Sequence, residues 1–131
     1  MFRWVNHTAE LELEIEAPSE EEVFAEALAA FAELAGNGRS GEPVSRKVEL
    51  EAGGHAELLA EWLSELVYLA EAEQLVPERV SSLELEGGSV RATVEGRRGE
   101  PRNLVKAVTL HRLELEPDDR VGWRARMVLD V

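Results

Sequence analysis

Glu10-Leu11-Glu12-Leu13-Glu14-Ile15-Glu16-Ala17-Pro18-Ser19-Glu20-Glu21-Glu22-Val23-Phe24 is the stretch that decides the fold. From Glu10 to Ala17 apolar and acidic side chains alternate. A period of two sends Leu11, Leu13 and Ile15 to one face and Glu12, Glu14 and Glu16 to the other, the pattern of a strand with one buried and one wet side. Pro18-Ser19 stops it. Ser19 followed by Glu22 is a capping box, and Val23, Phe24, Ala27, Leu28, Phe31 and Leu34 then recur at helical spacing. The spacing predicts a helix over Glu20 to Ala35, ended by Gly36-Asn37-Gly38.

The same two periods alternate along the rest of the chain. Phe2 to Val5 extends the first strand or pairs with it. After a loop over 36–43, Val44 to Ala52 reads as a strand with Val48 and Leu50 inward. Gly53-Gly54 breaks it. His55 to Glu73 is a second helix whose apolar stripe, Leu58, Leu59, Trp62, Leu63, Leu66, Val67 and Leu69, is wide enough to lie on a sheet. Pro77 lies beyond its end. Val80 to Glu86 and Val90 to Glu95 form a hairpin around Gly87-Gly88. Arg97 to Arg102 reads as a basic loop. Leu104 to Thr109 fits a helical turn or an extended stretch, so the conformation of 97–109 stays open. Leu110 to Glu116 is a strand, Pro117-Asp118-Asp119 a turn, and Val121 to Val131 the last strand. Trp123, Ala125, Met127 and Leu129 share one face of it; Arg124, Arg126, Val128 and Asp130 share the other. Two helices among several strands, with no dividing linker, argue for an α+β two-layer sandwich. The expected sheet is mixed, mostly antiparallel, within a single domain over 1–131.

The chain carries 27 acidic and 14 basic residues, three histidines and a formal charge of −13. Such a surface repels phosphate backbones, which argues against tight nucleic-acid binding by the chain alone. A local basic patch around Arg97, Arg98 and Arg102 is the exception. Cysteine is absent, which excludes disulfides and thiolate zinc sites. No apolar run approaches the roughly 20 residues a bilayer crossing needs, and the first apolar cluster is broken by Arg3, Asn6, His7 and Glu10, so no signal peptide is read. A cytoplasmic protein without membrane association is the expectation. Of the acidic residues only Asp118, Asp119 and Asp130 are aspartate, and only Lys47 and Lys106 are lysine. A retained Asp or Lys in a Glu- and Arg-rich chain is mildly informative.

Glu10 and Asp130 stand near opposite ends of the chain. If the first and last strands lie side by side, their carboxylates meet, and carboxylates suit hard cations such as Ca²⁺ or Mg²⁺. Without a cation or a base between them they repel. On periodicity alone they also read as solvated strand-edge acids. Lys106, set among Val105, Ala107 and Val108, reads as a surface charge or as an amine whose stem is held by apolar neighbours. His7 and His111 read as residues that order their own turns, and His55 as the start of the second helix. The three histidines have no zinc-ligand spacing. Trp62 and Tyr68 read as core. No Gly-rich phosphate loop or nucleophile elbow is present.

Four segments together carry a further reading. His7-Thr8-Ala9-Glu10, the helix bearing Trp62 and Tyr68, Val105-Lys106-Ala107-Val108-Thr109-Leu110-His111, and Val128-Leu129-Asp130-Val131 come in the order and spacing of the archease family, which this chain resembles over nearly its whole length. Archeases are protein cofactors of RtcB-type RNA ligases, which join RNA ends in tRNA splicing and RNA repair with GTP and Mn²⁺. The resemblance implies a non-catalytic activator that promotes guanylylation of the ligase and its multiple turnover, touching RNA only through the ligase. By the same resemblance Glu10 and Asp130 are metal ligands, with Val131 supplying a backbone or terminal oxygen. Lys106, with Glu10 and Asp130, is the ligase-activating group, and His7 is local support. Calcium is the first expectation for the divalent metal, manganese or magnesium the alternatives.

The chain departs from the family at three positions. Glu10 stands where Asp is usual, Leu110 where Tyr is usual, and Arg112 where Gly is frequent. Glu10 is one methylene longer than Asp, which moves its carboxylate by about one bond length and changes how a metal is held. The competing readings are a metal-dependent hydrolase, for which two carboxylates and a His make an incomplete catalytic set, and a chaperone-like or acidic interaction module without ligase specificity. Oligomeric state carries no signal.

Overall fold

The computed structural model describes residues 1–7, 10–36, 41–102 and 105–131, with His7 described by its main chain only. The element order is β1 (Phe2–His7), β2 (Glu10–Ala17), α1 (Glu20–Ala35), β3 (Pro43–Glu51), α2 (His55–Ala72), β4 (Leu75–Glu86), β5 (Ser89–Arg98), β6 (Ala107–Asp118) and β7 (Gly122–Asp130). The expected α+β sandwich is present. Its strands divide into two sheets, β1-β2-β7-β6 and β3-β5-β4, and all pairings among the described residues are antiparallel.

Local chemistry explains the boundaries. Ser19 Oγ accepts a hydrogen bond from the Glu22 amide at 3.2 Å and begins α1 where its capping box predicts. The main-chain N–H of Gly36 reaches the Ala32 carbonyl at its end. The β4–β5 hairpin turns at Gly87, with φ of 62°, but its strands are longer than the alternation suggests. β4 begins at Leu75 and includes Pro77, and β5 runs on to Arg98, so Arg97 and Arg98 pair with Val76 and Leu75 instead of lying in a loop. The Pro117-Asp118 end of the expected turn is likewise the last of β6. Asp118 Oδ1 accepts from the amides of Arg120 and Val121 and closes the turn into β7. Asn37, Gly38 and Leu104 lie outside the described residues.

One core draws on both sheets and both helices: Leu13, Ile15, Met127 and Leu129 from the first sheet, Val48, Val90, Ala92 and Val94 from the second, and the apolar stripes of α1 and α2. Both helices touch both sheets. Trp62 joins the two helices. It is fully buried, its indole N–H donates to the Phe24 carbonyl at 2.9 Å, and its ring lies 6.1 Å from that of Phe24. Tyr68, expected in this core, is 53% exposed. It lies one turn past Ser64 and one before Glu71, both exposed, on the wet side of α2. Among the described residues no helix is long and apolar enough to cross a membrane.

Two features fix the register of β7. It pairs with β2 without a shift from Ala17↔Trp123 to Glu10↔Asp130. At its start Gly122 has a φ of 105°, and a Cβ there would sit 2.6 Å from the Pro18 carbonyl oxygen. Only glycine meets both demands. A slip of one residue would turn Leu129, Met127 and Ala125 out of the core.

A candidate cation-binding rung at the top of the first sheet

The outer face of the first sheet is a ladder of four rungs. Its lowest two alternate in sign. Glu16 faces Arg124, which faces Glu116; Arg3 faces Glu14, which faces Arg126, which faces Glu114. Arg3 also hydrogen-bonds Glu14, and that contact, with the charge of Arg126 behind it, holds the Glu14 carboxyl below its ordinary range. The third rung is Val5, Glu12, Val128 and Thr109. At the top, His7 pairs with Glu10, Glu10 with Asp130, and Asp130 with Ala107.

The pairing of β2 with β7 therefore brings Glu10 and Asp130 directly opposite one another. Side chains so placed have Cβ atoms about 4.5–5.5 Å apart, and like charges there destabilise the pair. Both residues are half-buried. Among the described residues neither side chain forms a hydrogen bond or ion pair. Lys106 is carried to the same corner. Its amide donates to the Asp130 carbonyl oxygen at 2.7 Å, while its side chain is exposed. Val131 follows Asp130 directly and is 37% exposed. Thr8, Ala9 and the His7 side chain lie outside the described residues.

The donor chemistry fits a hard divalent cation. Two facing carboxylates gain from a shared positive charge, and oxygen donors suit Ca²⁺, Mg²⁺ and Mn²⁺. Among the described residues no group of three His, Asp or Glu side chains converges to hold a metal. The remaining coordination positions would fall to main-chain oxygen or water. A groove of about 330 Å³ on the other sheet, lined by Lys47, Glu49, Ser82, Glu84 and Arg91 among others, contains none of these residues.

Two residues of this face escape the sequence pattern. Glu12, expected to be wet, is only 6% exposed. Arg112 lies in an irregular stretch of β6, where Leu110, His111, Arg112 and Leu113 stand against the single Met127 of β7. It adopts a φ of 59°, and its guanidinium Nη1 lies 3.6 Å from Glu12 Oε1. The one sequence signal for it was an arginine where the resembled family often has glycine, a residue at ease with that backbone.

The comparisons with known proteins agree over the whole length. The model of the archease protein family matches residues 2–131. The chain is 33% identical to the archease of Methanosarcina acetivorans over 140 residues, covering 99% of this chain and 95% of that protein. It is 33% identical to the archease of Archaeoglobus fulgidus, covering 99% and 98%. The solution structure of Methanobacterium thermoautotrophicum protein 1598 superposes with a TM-score of 0.76 at 27% identity, covering 99% of this chain and 98% of that one. A Thermotoga maritima archease, described as a possible chaperone, shares the fold with a TM-score of 0.69 at 24% identity, covering 100% of this chain and 98% of that one. The chain belongs to the archease family.

Proposed function

We propose that this protein is a non-catalytic cofactor of an RtcB-type RNA ligase in tRNA splicing or RNA repair, working in the cytoplasm to promote guanylylation of the ligase and so its repeated turnover. The observation that supports this reading most is the top rung, where Glu10 faces Asp130 and the Lys106 main chain is bonded to Asp130.

A divalent cation, when bound, would neutralise this pair and polarise a phosphoryl oxygen brought against it. Glu10 and Asp130 would hold it, with a main-chain oxygen of Val131. The chain's own part is positional. Two paired strands set the carboxylates at a fixed spacing. The hydrogen bond from the Lys106 amide to the Asp130 carbonyl keeps Lys106 beside them, with its exposed amine placed to meet a phosphate or a nucleotide. An acidic surface of formal charge −13 suits docking on a basic, RNA-binding ligase and disfavours competition for its RNA.

The test is ligase guanylylation with GTP in the presence of Glu10→Ala, Asp130→Ala and Lys106→Ala proteins. A loss of stimulation of tenfold or more is expected for each. Full stimulation by all three would contradict the reading. Suppressed aggregation of unrelated clients, with no effect on the ligase, would favour a general chaperone. Turnover of phosphoesters by the purified protein alone would favour a hydrolase.

A further inference from the structure

Elsewhere in the molecule arginines are matched to acids: Arg3 to Glu14, Arg46 to Glu73, Arg79 to Glu95 and Arg124 to Asp118. Arg98, Arg102 and Lys106 are different. All three are exposed and, among the described residues, none forms an ion pair. They follow one another at four-residue steps along the connection from β5 to β6, with Glu100 the only acid between them. The main chain is held at each of them. The Arg98 amide donates to the Glu42 carbonyl at 3.0 Å, the Arg102 amide to the Ala35 carbonyl at 2.9 Å and the Lys106 amide to the Asp130 carbonyl at 2.7 Å. Val105, beside Lys106, is buried in the core. The backbone of these residues is thus tied to the fold, and their charged side chains are left to solvent. Arg97 has a structural use instead, with its Nη1 donating to the Gly41 carbonyl at 3.1 Å. Asn103 and Leu104 lie outside the described residues and are no part of the argument. Ala35 ends α1 and Asp130 ends β7, so the connection runs from one of these ends to the corner that holds Glu10 and Asp130. Arg102 and Lys106 are at most about 14 Å apart along the chain.

We propose that Arg102 and Lys106, with Arg98 further along the connection, form a binding site for an oligophosphate chain that arrives with its own divalent cation, the cation going to Glu10 and Asp130. The inference rests on the cation reading above and adds to it a class of ligand and two arginines. Facing carboxylates repel a bare phosphate, and unpaired cations beside them repel a bare metal ion. A metal–oligophosphate complex suits both halves at once. Its ion meets the carboxylates, and its phosphate oxygens accept charge-assisted hydrogen bonds from the guanidinium and the ammonium. A nucleic-acid strand suits the site less well. Its repeated phosphates would extend past these cations over a chain of formal charge −13. Inorganic tripolyphosphate and the triphosphate of a nucleotide share the required chemistry.

The test is calorimetric titration of the full chain at low ionic strength with magnesium tripolyphosphate and with magnesium GTP, each repeated with EDTA in place of Mg²⁺. Saturable binding is expected with the metal, and binding about tenfold weaker without it, because ion and phosphate support one another. Arg102→Gln and Lys106→Gln should each weaken binding of the magnesium complex about fivefold, Arg102→Lys less, and Arg98→Gln about twofold. Arg120→Gln is the control. It removes the same charge from an exposed arginine at the β6–β7 turn, and should change affinity by less than about twofold. Equal affinity for the two probes marks inorganic phosphate chemistry as sufficient, and tighter binding of GTP adds a nucleoside contact; both support the site. Equal weakening by Arg102→Gln and Arg120→Gln, binding that ignores the metal, or preference for a single-stranded RNA oligonucleotide would overturn the inference. So would a failure to bind either probe by a protein that still binds Mn²⁺ alone, and this result leaves the cation reading standing. Failure to bind Mn²⁺ as well would remove both. Circular dichroism checks that every variant is folded.

Discussion

The two ends of one sheet face solve the same problem in opposite ways. At the bottom, each glutamate of β2 meets an arginine of β7: Glu16 faces Arg124 and Glu14 faces Arg126. At the top, Glu10 meets Asp130. The β2–β7 register is unbroken from one end to the other, so the difference lies in the side chains. Opposite charges across a strand pair contribute roughly 0.2–1 kcal/mol, and like charges lose a similar amount. The lower rungs serve the fold. The top rung works against it, and a chain with this many arginines had a ready alternative. A residue pair that costs stability where a stabilising pair fits marks a position to test as a site.

The contrast can be broken first at its register. Gly122→Val combines a disallowed backbone with a close approach to Pro18. It should lower stability by about 3 kcal/mol, read by denaturant unfolding, and abolish cation binding by displacing Asp130 from Glu10. Turning a lower rung into an upper one comes next. Arg126→Glu places three acids in a row with Glu14 and Glu114, and should cost about 1 kcal/mol at low salt, with a smaller loss at high salt. The reverse exchange is Asp130→Arg, which makes the top rung resemble the bottom. It should raise stability by about 0.5 kcal/mol in a thermal melt without added metal, and remove cation binding altogether.

The smallest effect concerns pH. The Glu14 carboxyl is held below its ordinary range, chiefly by its hydrogen bond from Arg3. A carboxylate with a depressed folded-state value stabilises the fold above the unfolded value and loses that contribution as pH falls through the folded one. Arg3→Gln should therefore cost a few tenths of a kcal/mol near neutrality, as partly exposed pairs do. The difference in melting temperature from the unmodified protein should shrink as pH falls from about 4.5 through the lowered folded-state value of Glu14.

Most of the ladder was legible because its elements obey local rules. Alternation identifies β2, and Ser19 with Glu22 identifies the start of α1. The opposed faces of Val121 to Val131 place Asp130 outward. The meeting of Glu10 with Asp130 was legible only through the family resemblance, since which strands pair is a non-local property that no short window encodes. Glu12 was misread for a related reason. Alternation says which face a side chain takes, and says nothing of whether a distant, irregular stretch of β6 will cover that face. Tyr68 failed differently: its helical spacing from Trp62 was read as shared burial, but six residues is more than one and a half turns, which places the two side chains on different sides of α2. The division into two sheets was likewise not encoded locally, because the alternation in β3, β4 and β5 resembles that in β2 and β7.

The central claim is that the rung joining the ends of β2 and β7 holds a divalent ion. Calorimetric titration of Mn²⁺ into the purified protein, set beside the Glu10→Gln/Asp130→Asn double variant, tests it most directly. The account predicts one site per chain in the unmodified protein and none in the variant, with both proteins folded by circular dichroism. Equal binding by the two would contradict it.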